Sequence, residues 1–252
     1  MFKIILSGYN GQMGRVLKEL INDSEDMEIT FGVDRSATEE SFTTYESFSK
    51  APAGGEVIID FSHHSMVPAL LDYIENTNTP AVICTTGISA EDMKRIDKIK
   101  DSTPIFMSGN MSLGINLLIS LVKEAAKVLE NDFDIEIIEK HHNKKVDSPS
   151  GTAYMIADSI KKACQEDKSF IYGREGNNSK REKKEIGIHA VRGGTIVGEH
   201  QVIFAGTDEI VEITHKASSK KIFAKGAMSA ARFLIGKDKG LYDMNNIFGE
   251  VD

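Results

Sequence analysis

Apolar positions fall in two different patterns along the chain. In the first half, short continuous apolar runs alternate with helical periodicity. Phe2 to Leu6 is such a run with a β-branched pair, the form of a strand buried on both faces. Met13, Val16, Leu17, Leu20 and Ile21 follow at helical spacing. Met27 to Val33 predicts a second strand, and Val57-Ile58-Ile59 within Glu56 to Asp60 a third, with a helix from about Ser65 to Asn76 behind it. Ala81 to Cys84 predicts a further strand. Ser89 then caps a helix, with Asp92 three residues on, near a capping box. Ile105-Phe106-Met107 closes the series. Strands alternating with helices at this rhythm predict an open parallel sheet.

Near residues 110–114 the texture changes. A helix is predicted from Gly114 to Glu130, with Ile115, Leu118, Leu121, Val122, Ala125 and Leu129 on one face. Phe133, Ile135 and Ile137 then alternate with Asp134 and Glu136, a half-exposed strand. A helix is predicted from Ser150 through Cys164. Tyr172 to Lys184 is polar and aperiodic, which predicts a mobile loop. Glu185 to Val191, Glu199 to Ala205 and Glu209 to Lys216 alternate again, joined by glycine-bearing turns. Lys221 to Ile235 is helical. The predicted fold class is α/β, a Rossmann-like dinucleotide-binding domain plus a second α+β domain with a mixed or antiparallel sheet. The expected domains are 1–111, with 221–252 returning to it, and 112–220 for substrate binding and oligomerisation.

Composition narrows the field. The 252 residues suffice for two domains, and a formal net charge of −8 argues against nucleic acid as partner. Two cysteines, Cys84 and Cys164, lie in apolar surroundings and make no disulfide framework. No apolar run approaches the ~18 residues that span a membrane. The start of the sequence has no basic leader or small-residue cleavage site. A cytoplasmic protein without membrane partner is expected.

The first strand ends in Gly8, Gly11 and Gly14, spaced as in a dinucleotide fingerprint on a strand–turn–helix. Gly8 allows the turn, Gly11 lets the backbone approach a pyrophosphate, and Gly14 lets the helix pack on the strand. Asp34 ends the second strand, where an acid holds ribose hydroxyls. Arg35 beside it would attract the 2′-phosphate that the acid repels, so NADH and NADPH are both admitted. Phe61-Ser62, Thr85-Thr86 and Gly109-Asn110 follow later strands, where ligands of open α/β sheets sit.

The densest chemistry is in residues 141–152. His141, His142, Lys144 and Lys145 put two imidazoles and two ammonium groups within five residues. Ser150, Gly151 and Thr152 follow as the first turn of a helix, whose N–H groups and dipole bind anions. A solvated basic loop is the plain alternative. A metal site is not expected, because no Cys, His or carboxylate follows at ligand spacing. Together the residues suit a small acidic molecule that needs a proton delivered.

These motifs resemble those of the 4-hydroxy-tetrahydrodipicolinate reductase (dihydrodipicolinate reductase) family of lysine and diaminopimelate biosynthesis, over nearly the whole chain. The resemblance is carried by the glycine loop Gly8 to Arg15, by Asp60-Phe61-Ser62, Thr85-Thr86-Gly87 and Asn110 to Asn116, and by Glu139 to His142 with Lys145 to Thr152. Arg192-Gly193-Gly194, Gly198-Glu199-His200 and Glu212 to His215 extend it. It implies an enzyme, an NAD(P)H-dependent reductase of a cyclic dicarboxylate that has lost water to become a conjugated imine. It implies His141 as proton donor and acceptor, Lys145 as proton donor, and His142, Gly151 and Thr152 as substrate-binding. It extends the cofactor contacts to Tyr9, Asn10, Gln12, Met13, Cys84, Ser108 and Met111. It also implies a homotetramer built through the second domain. The competing readings are a reductase of another small carboxylate, like aspartate dehydrogenase, and a nucleotide sensor without catalysis.

Overall fold

The structure is a computed structural model that describes residues 1–248. Its contacts gather into two compact units: Met1–Ser112 together with the chain from Lys221 onward, and Leu113–Lys220.

The first unit begins β1 (Phe2–Ser7), α1 (Gln12–Asn22), β2 (Met27–Val33), β3 (Thr43–Tyr45), β4 (Val57–Asp60), α2 (Val67–Thr77), β5 (Ala81–Ile83), α3 (Ala90–Ile99) and β6 (Pro104–Met107). The second comprises α4 (Leu113–Leu129), β7 (Asp134–His141), α5 (Gly151–Ala163), β8 (Ser169–Ile171), β9 (Glu185–Arg192), β10 (Gly198–Ala205) and β11 (Ile210–Ala217). The chain returns to the first with α6 (Lys221–Leu234), β12 (Gly240–Tyr242) and α7 (Met244–Phe248). Residues 249–252 of the segment expected to return lie outside the described residues.

Among the described residues of the first unit the strands lie in the order β3-β2-β1-β4-β5-β6-β12, every pairing parallel. Side chains alternate across a sheet, so a run such as Ile4-Ile5-Leu6 feeds two cores at once. Ile5, Ile58, Ile83 and Ile105 meet Leu70 and Ile74 of α2 and Ile96 and Ile99 of α3. On β4, β5 and β6 lies α6, which also packs on α1. The order in which strands are added reverses between β1 and β4, so the sheet has its switch point there, where ligands of open α/β sheets bind. Ser89 caps α3 as expected, accepting the Asp92 N–H at 3.1 Å.

The second unit is a mixed sheet in the order β11-β10-β7-β9-β8. β11, β10 and β7 are antiparallel neighbours, while β9 runs parallel to both β7 and β8. Ile115, Leu118 and Val122 of α4 and Ile156 and Ile160 of α5 cover one face through Ile135, Ile137, Ile188, Val202 and Phe204.

Three strands escaped the sequence pattern: β3, β8 and β12, each of three residues. So short a stretch carries no period. The loop from Tyr172 to Lys184, expected to be mobile, is instead pinned by ion pairs. Arg174 pairs with Glu136 at 3.1 Å and Glu185 at 2.6 Å, and Arg181 with Asp134 at 2.6 Å and Glu136 at 3.1 Å. Among the described residues no helix is long and apolar enough to cross a membrane, and no group of three or more His, Cys, Asp or Glu is placed to hold a metal ion.

Candidate active site

At the carboxyl ends of β1, β2 and β4 the chain makes a cleft of about 490 Å³, lined by Gly8, Gly11, Asp34, Arg35, Phe61 and Ser62 among others. Gly8 sits at φ +77°, and a Cβ there would lie 2.6 Å from the Phe61 carbonyl oxygen. A Cβ on Gly14 would collide with the Gly8 carbonyl, so α1 rides directly on the turn. Gly11 differs: a Cβ there would meet only the Gly8 oxygen, at 3.3 Å, and no side chain caps α1. An open glycine at an uncapped helix start without an acid in its first turn fits a pyrophosphate.

Asp34 does more than the sequence suggested. Its two oxygens accept the backbone N–H of Asn10 at 3.1 Å and of Ser36 at 3.0 Å, so it braces the glycine loop against β2. Arg35 is exposed, with Nη1 3.5 Å from the Ser65 hydroxyl. Gln12, Asn10 and Met13 lie at or next to the start of α1. Tyr9 is fully buried, its hydroxyl accepting the Thr38 N–H at 2.8 Å, and Met111 is 4% exposed; both side chains belong to the core, so only their backbone can meet a ligand.

A neighbouring cleft of about 420 Å³ at the ends of β5 and β6 is lined by Cys84, Thr85, Thr86, Gly87, Ser108 and Gly109 among others. Fully buried Asp60 shapes it, accepting the Thr85 hydroxyl at 2.6 Å and the Ser62 N–H at 3.2 Å. Burial and the Asp60 charge push the Cys84 thiol well up, so it stays protonated. Ser108 donates its hydroxyl to the Asn110 carbonyl at 2.9 Å and thereby folds the Gly109 turn.

In the second unit, the end of β7 and the start of α5 meet. Glu139 and His141 are two residues apart on one strand, so they share a face. His141 Nδ1 lies 2.6 Å from Glu139 Oε2. Strand register sets His200 of β10 opposite Glu139, and Arg192 of β9 opposite His141. Arg192 grips the Glu139 carboxylate with both Nη atoms, at 2.7 and 2.6 Å. Ser150, the cap of α5, donates its N–H to Glu139 Oε1 at 2.9 Å, accepts the Ala153 N–H at 3.1 Å, and meets His200 Nε2 at 3.0 Å. The helix start is thus tied to the strand carrying His141.

Burial alone would raise the Glu139 carboxyl, but hydrogen bonds from Arg192, His141 and Ser150 outweigh it and hold the group below its ordinary value. His200 goes the opposite way: burial first, then the His141 charge, push it down to about 4. Lys145 Nζ pairs with Asp147 at 2.7 Å, and that contact lowers the Asp147 carboxyl. The Lys145 N–H bonds the His142 carbonyl at 3.1 Å, so the two face one turn. Gly151 looks onto open space, with nothing within 4 Å of an added Cβ, and Thr152 follows it in the first turn.

Of the sequence-predicted residues, Gly151 and Thr152 open α5, His141 is tied to that start through Glu139 and Ser150, and Lys145 through Asp147. Sequence reasoning gave no role to Glu139, Arg192 and His200, and it put Ser150 in the first turn of the helix, where the structure makes it the cap. Glu139 could have been flagged, since period two places it beside His141. Arg192 could not, because its partner is 53 residues away and the pairing needs the β7/β9 register.

Residues 2–111 match the family described as dihydrodipicolinate reductase, N-terminus, and residues 114–248 its C-terminus. The chain is 49% identical to the 4-hydroxy-tetrahydrodipicolinate reductase of Caldanaerobacter subterraneus, covering 98% of each chain. It is 49% identical to the enzyme of that name from Clostridium tetani, over 97% of this chain and 96% of the relative. Among solved structures, a dipicolinate-bound dihydrodipicolinate reductase from a Paenisporosarcina species superposes with a TM-score of 0.83 at 22% identity, over 98% and 99% of the two chains. Aspartate dehydrogenase of Thermotoga maritima, at 13% identity and a TM-score of 0.51 over 94% and 98% of the two chains, shares the fold alone.

Proposed function

The chain belongs to the dihydrodipicolinate reductase family, and from that premise we propose how its residues divide the reaction. The activity is the NAD(P)H-dependent reduction of the dehydrated form of 4-hydroxy-tetrahydrodipicolinate to tetrahydrodipicolinate, in diaminopimelate and lysine biosynthesis. Its substrate is a small carboxylate.

When bound, NADH or NADPH supplies the hydride. Gly8, Gly11 and the start of α1 would hold its pyrophosphate, supported by the open Gly11 face. Asp34 and Arg35 would meet the adenosine ribose. The loops at Phe61, Cys84 to Thr86 and Ser108 to Asn110 would line the path of the nicotinamide half.

The remaining work falls to the second unit's residues. Gly151, Thr152 and His142 take a substrate carboxylate, since a helix start is a ready anion site. Lys145 adds a cation to the dianion's surroundings and carries a proton. His141 gives and takes the proton at Nε2, the ring atom turned away from Glu139. One observation supports the reading: Ser150 ties the start of α5 to the Glu139 carboxylate that faces His141.

General acid catalysis is worth roughly 10²–10⁴-fold. His141→Gln or Lys145→Ala is expected to lower kcat by that order while NADH affinity stays unchanged. A variant with full turnover removes that residue from the mechanism.

The protein is further proposed to assemble as a homotetramer through the second unit's sheet, which exposes Val191, Ile210 and Val211. Sedimentation is expected to return the mass of four chains; a monomer mass contradicts it.

A further inference from the structure

The reading of His141 as the proton-transfer group leaves open what selects its reactive nitrogen. We propose that Glu139 is a positioning residue that fixes the tautomer and orientation of His141, with Arg192 as its clamp, so that only Nε2 exchanges a proton with the substrate.

The Glu139 carboxylate is saturated with partners. Glu139 is 0% exposed. Its Oε1 accepts Arg192 Nη2 at 2.6 Å and the Ser150 N–H at 2.9 Å; its Oε2 accepts Arg192 Nη1 at 2.7 Å and faces His141 Nδ1 at 2.6 Å. A carboxylate has about four acceptor sites, and all four are used. A pair that served only to fasten β7 to β9 would be complete with Arg192. The fourth site is spent on an imidazole whose side chain is 12% exposed.

An ionised carboxylate can only accept, so Nδ1 must donate. The neutral ring is then the Nδ1–H tautomer, with its lone pair on Nε2. Space at Nε2 is kept by Gly198 on β10, where a Cβ would stand 3.1 Å from that atom. The other charged or titratable groups around the ring are accounted for. His200 on β10, 5.2 Å away between ring centres, is held neutral by burial, and His215 on β11 is lowered the same way. Arg192 on β9 is consumed by Glu139, and Lys145 in the following loop is paired with Asp147. Glu139 is left as the group that sets the Nδ1 proton.

The test is Glu139→Gln. Glutamine keeps the size, and its carbonyl can still accept from Arg192 and Ser150. Its amide N–H₂ would then face Nδ1, which must become the acceptor, and the proton moves to Nε2. Placing a histidine in the wrong tautomer by such an exchange is known to cost ~10⁴ in kcat in a serine protease. The expected result is a kcat lower by about 10²–10⁴ at neutral pH and unchanged NADH affinity.

Histidine ring ¹⁵N shifts supply a readout free of turnover. The wild-type His141 is expected as Nδ1–H and the variant as Nε2–H. Should the variant fail to fold, the wild-type spectrum decides. A neutral wild-type His141 in the Nε2–H form, or a folded Glu139→Gln enzyme with wild-type kcat, overturns the proposal. His141→Gln assayed alongside separates the two ideas. Full turnover in that variant sinks the proton-transfer role, whereas the ¹⁵N tautomer reports on Glu139 regardless.

Discussion

His200 shows how position overrides chemistry at the scale of one residue. Nothing in Gly198-Glu199-His200 marks this histidine as permanently neutral. Its burial at 4% exposure does so, with His141 adding repulsion. The folded value of about 4 lies below the 6.5 of a free imidazole, so on acidification the unfolded chain takes the proton first. The contribution is complete above pH ~6.5 and drains away as pH falls toward 4. Between pH 7 and pH 5 this amounts to about 2 kcal/mol of lost stability. Urea unfolding at both pH values is expected to show a shallower loss for His200→Gln than for wild type, and parallel losses would contradict the assignment. Carboxylates such as Glu139 and Glu136, held low by their hydrogen bonds, add stability above their free value of 4.5 and lose it as pH falls further. Residue identity alone was also a partial guide at Asp34. The sequence placed an acid at the ribose, and the structure adds a brace on the Asn10 and Ser36 amides, which needs the loop's path to be seen.

At the scale of elements, period and length decided what could be read. β1, β4 and β5 are short continuous apolar runs, and α4 and α6 carry clear helical stripes, so all were legible. Asp92 following Ser89 announced the start of α3 through a cap that the structure contains. β3, β8 and β12 were not legible, because each is held by its neighbour's backbone rather than by a side-chain pattern of its own. The polar segment from Tyr172 to Lys184 misled, because its arginines find carboxylates on β7 and β9 that no local window contains. Close approach is another property a window misses. Gly226 of α6 lets the helix touch the Met111 carbonyl, and a Cβ there would overlap that oxygen. Forcing a methyl into such a contact costs about 1–3 kcal/mol. Gly226→Ala is therefore expected to lower Tm by several degrees, while Lys225→Ala, on the exposed face of the same helix, leaves it near wild type. Equal melting temperatures for the two variants would show that α6 tolerates the displacement.

The whole molecule combines a parallel sheet with glycine turns at its switch point and a mixed sheet whose α5 starts beside the proposed proton donors. Neither half explains a reaction alone. The glycine loop is shared by many dinucleotide-binding folds, as the likeness to aspartate dehydrogenase illustrates. The block from His141 to Thr152 is proposed to single out the substrate, and its residue types were fully legible. The support beneath it was not. The account stands most directly on one measurement: NADH absorbance followed after adding freshly generated 4-hydroxy-tetrahydrodipicolinate to the purified chain. The expected result is a loss of NADH that tracks the substrate added and is suppressed by pyridine-2,6-dicarboxylate, a planar mimic of the substrate. A folded chain that binds NADH yet leaves it unoxidised with this substrate would contradict the account.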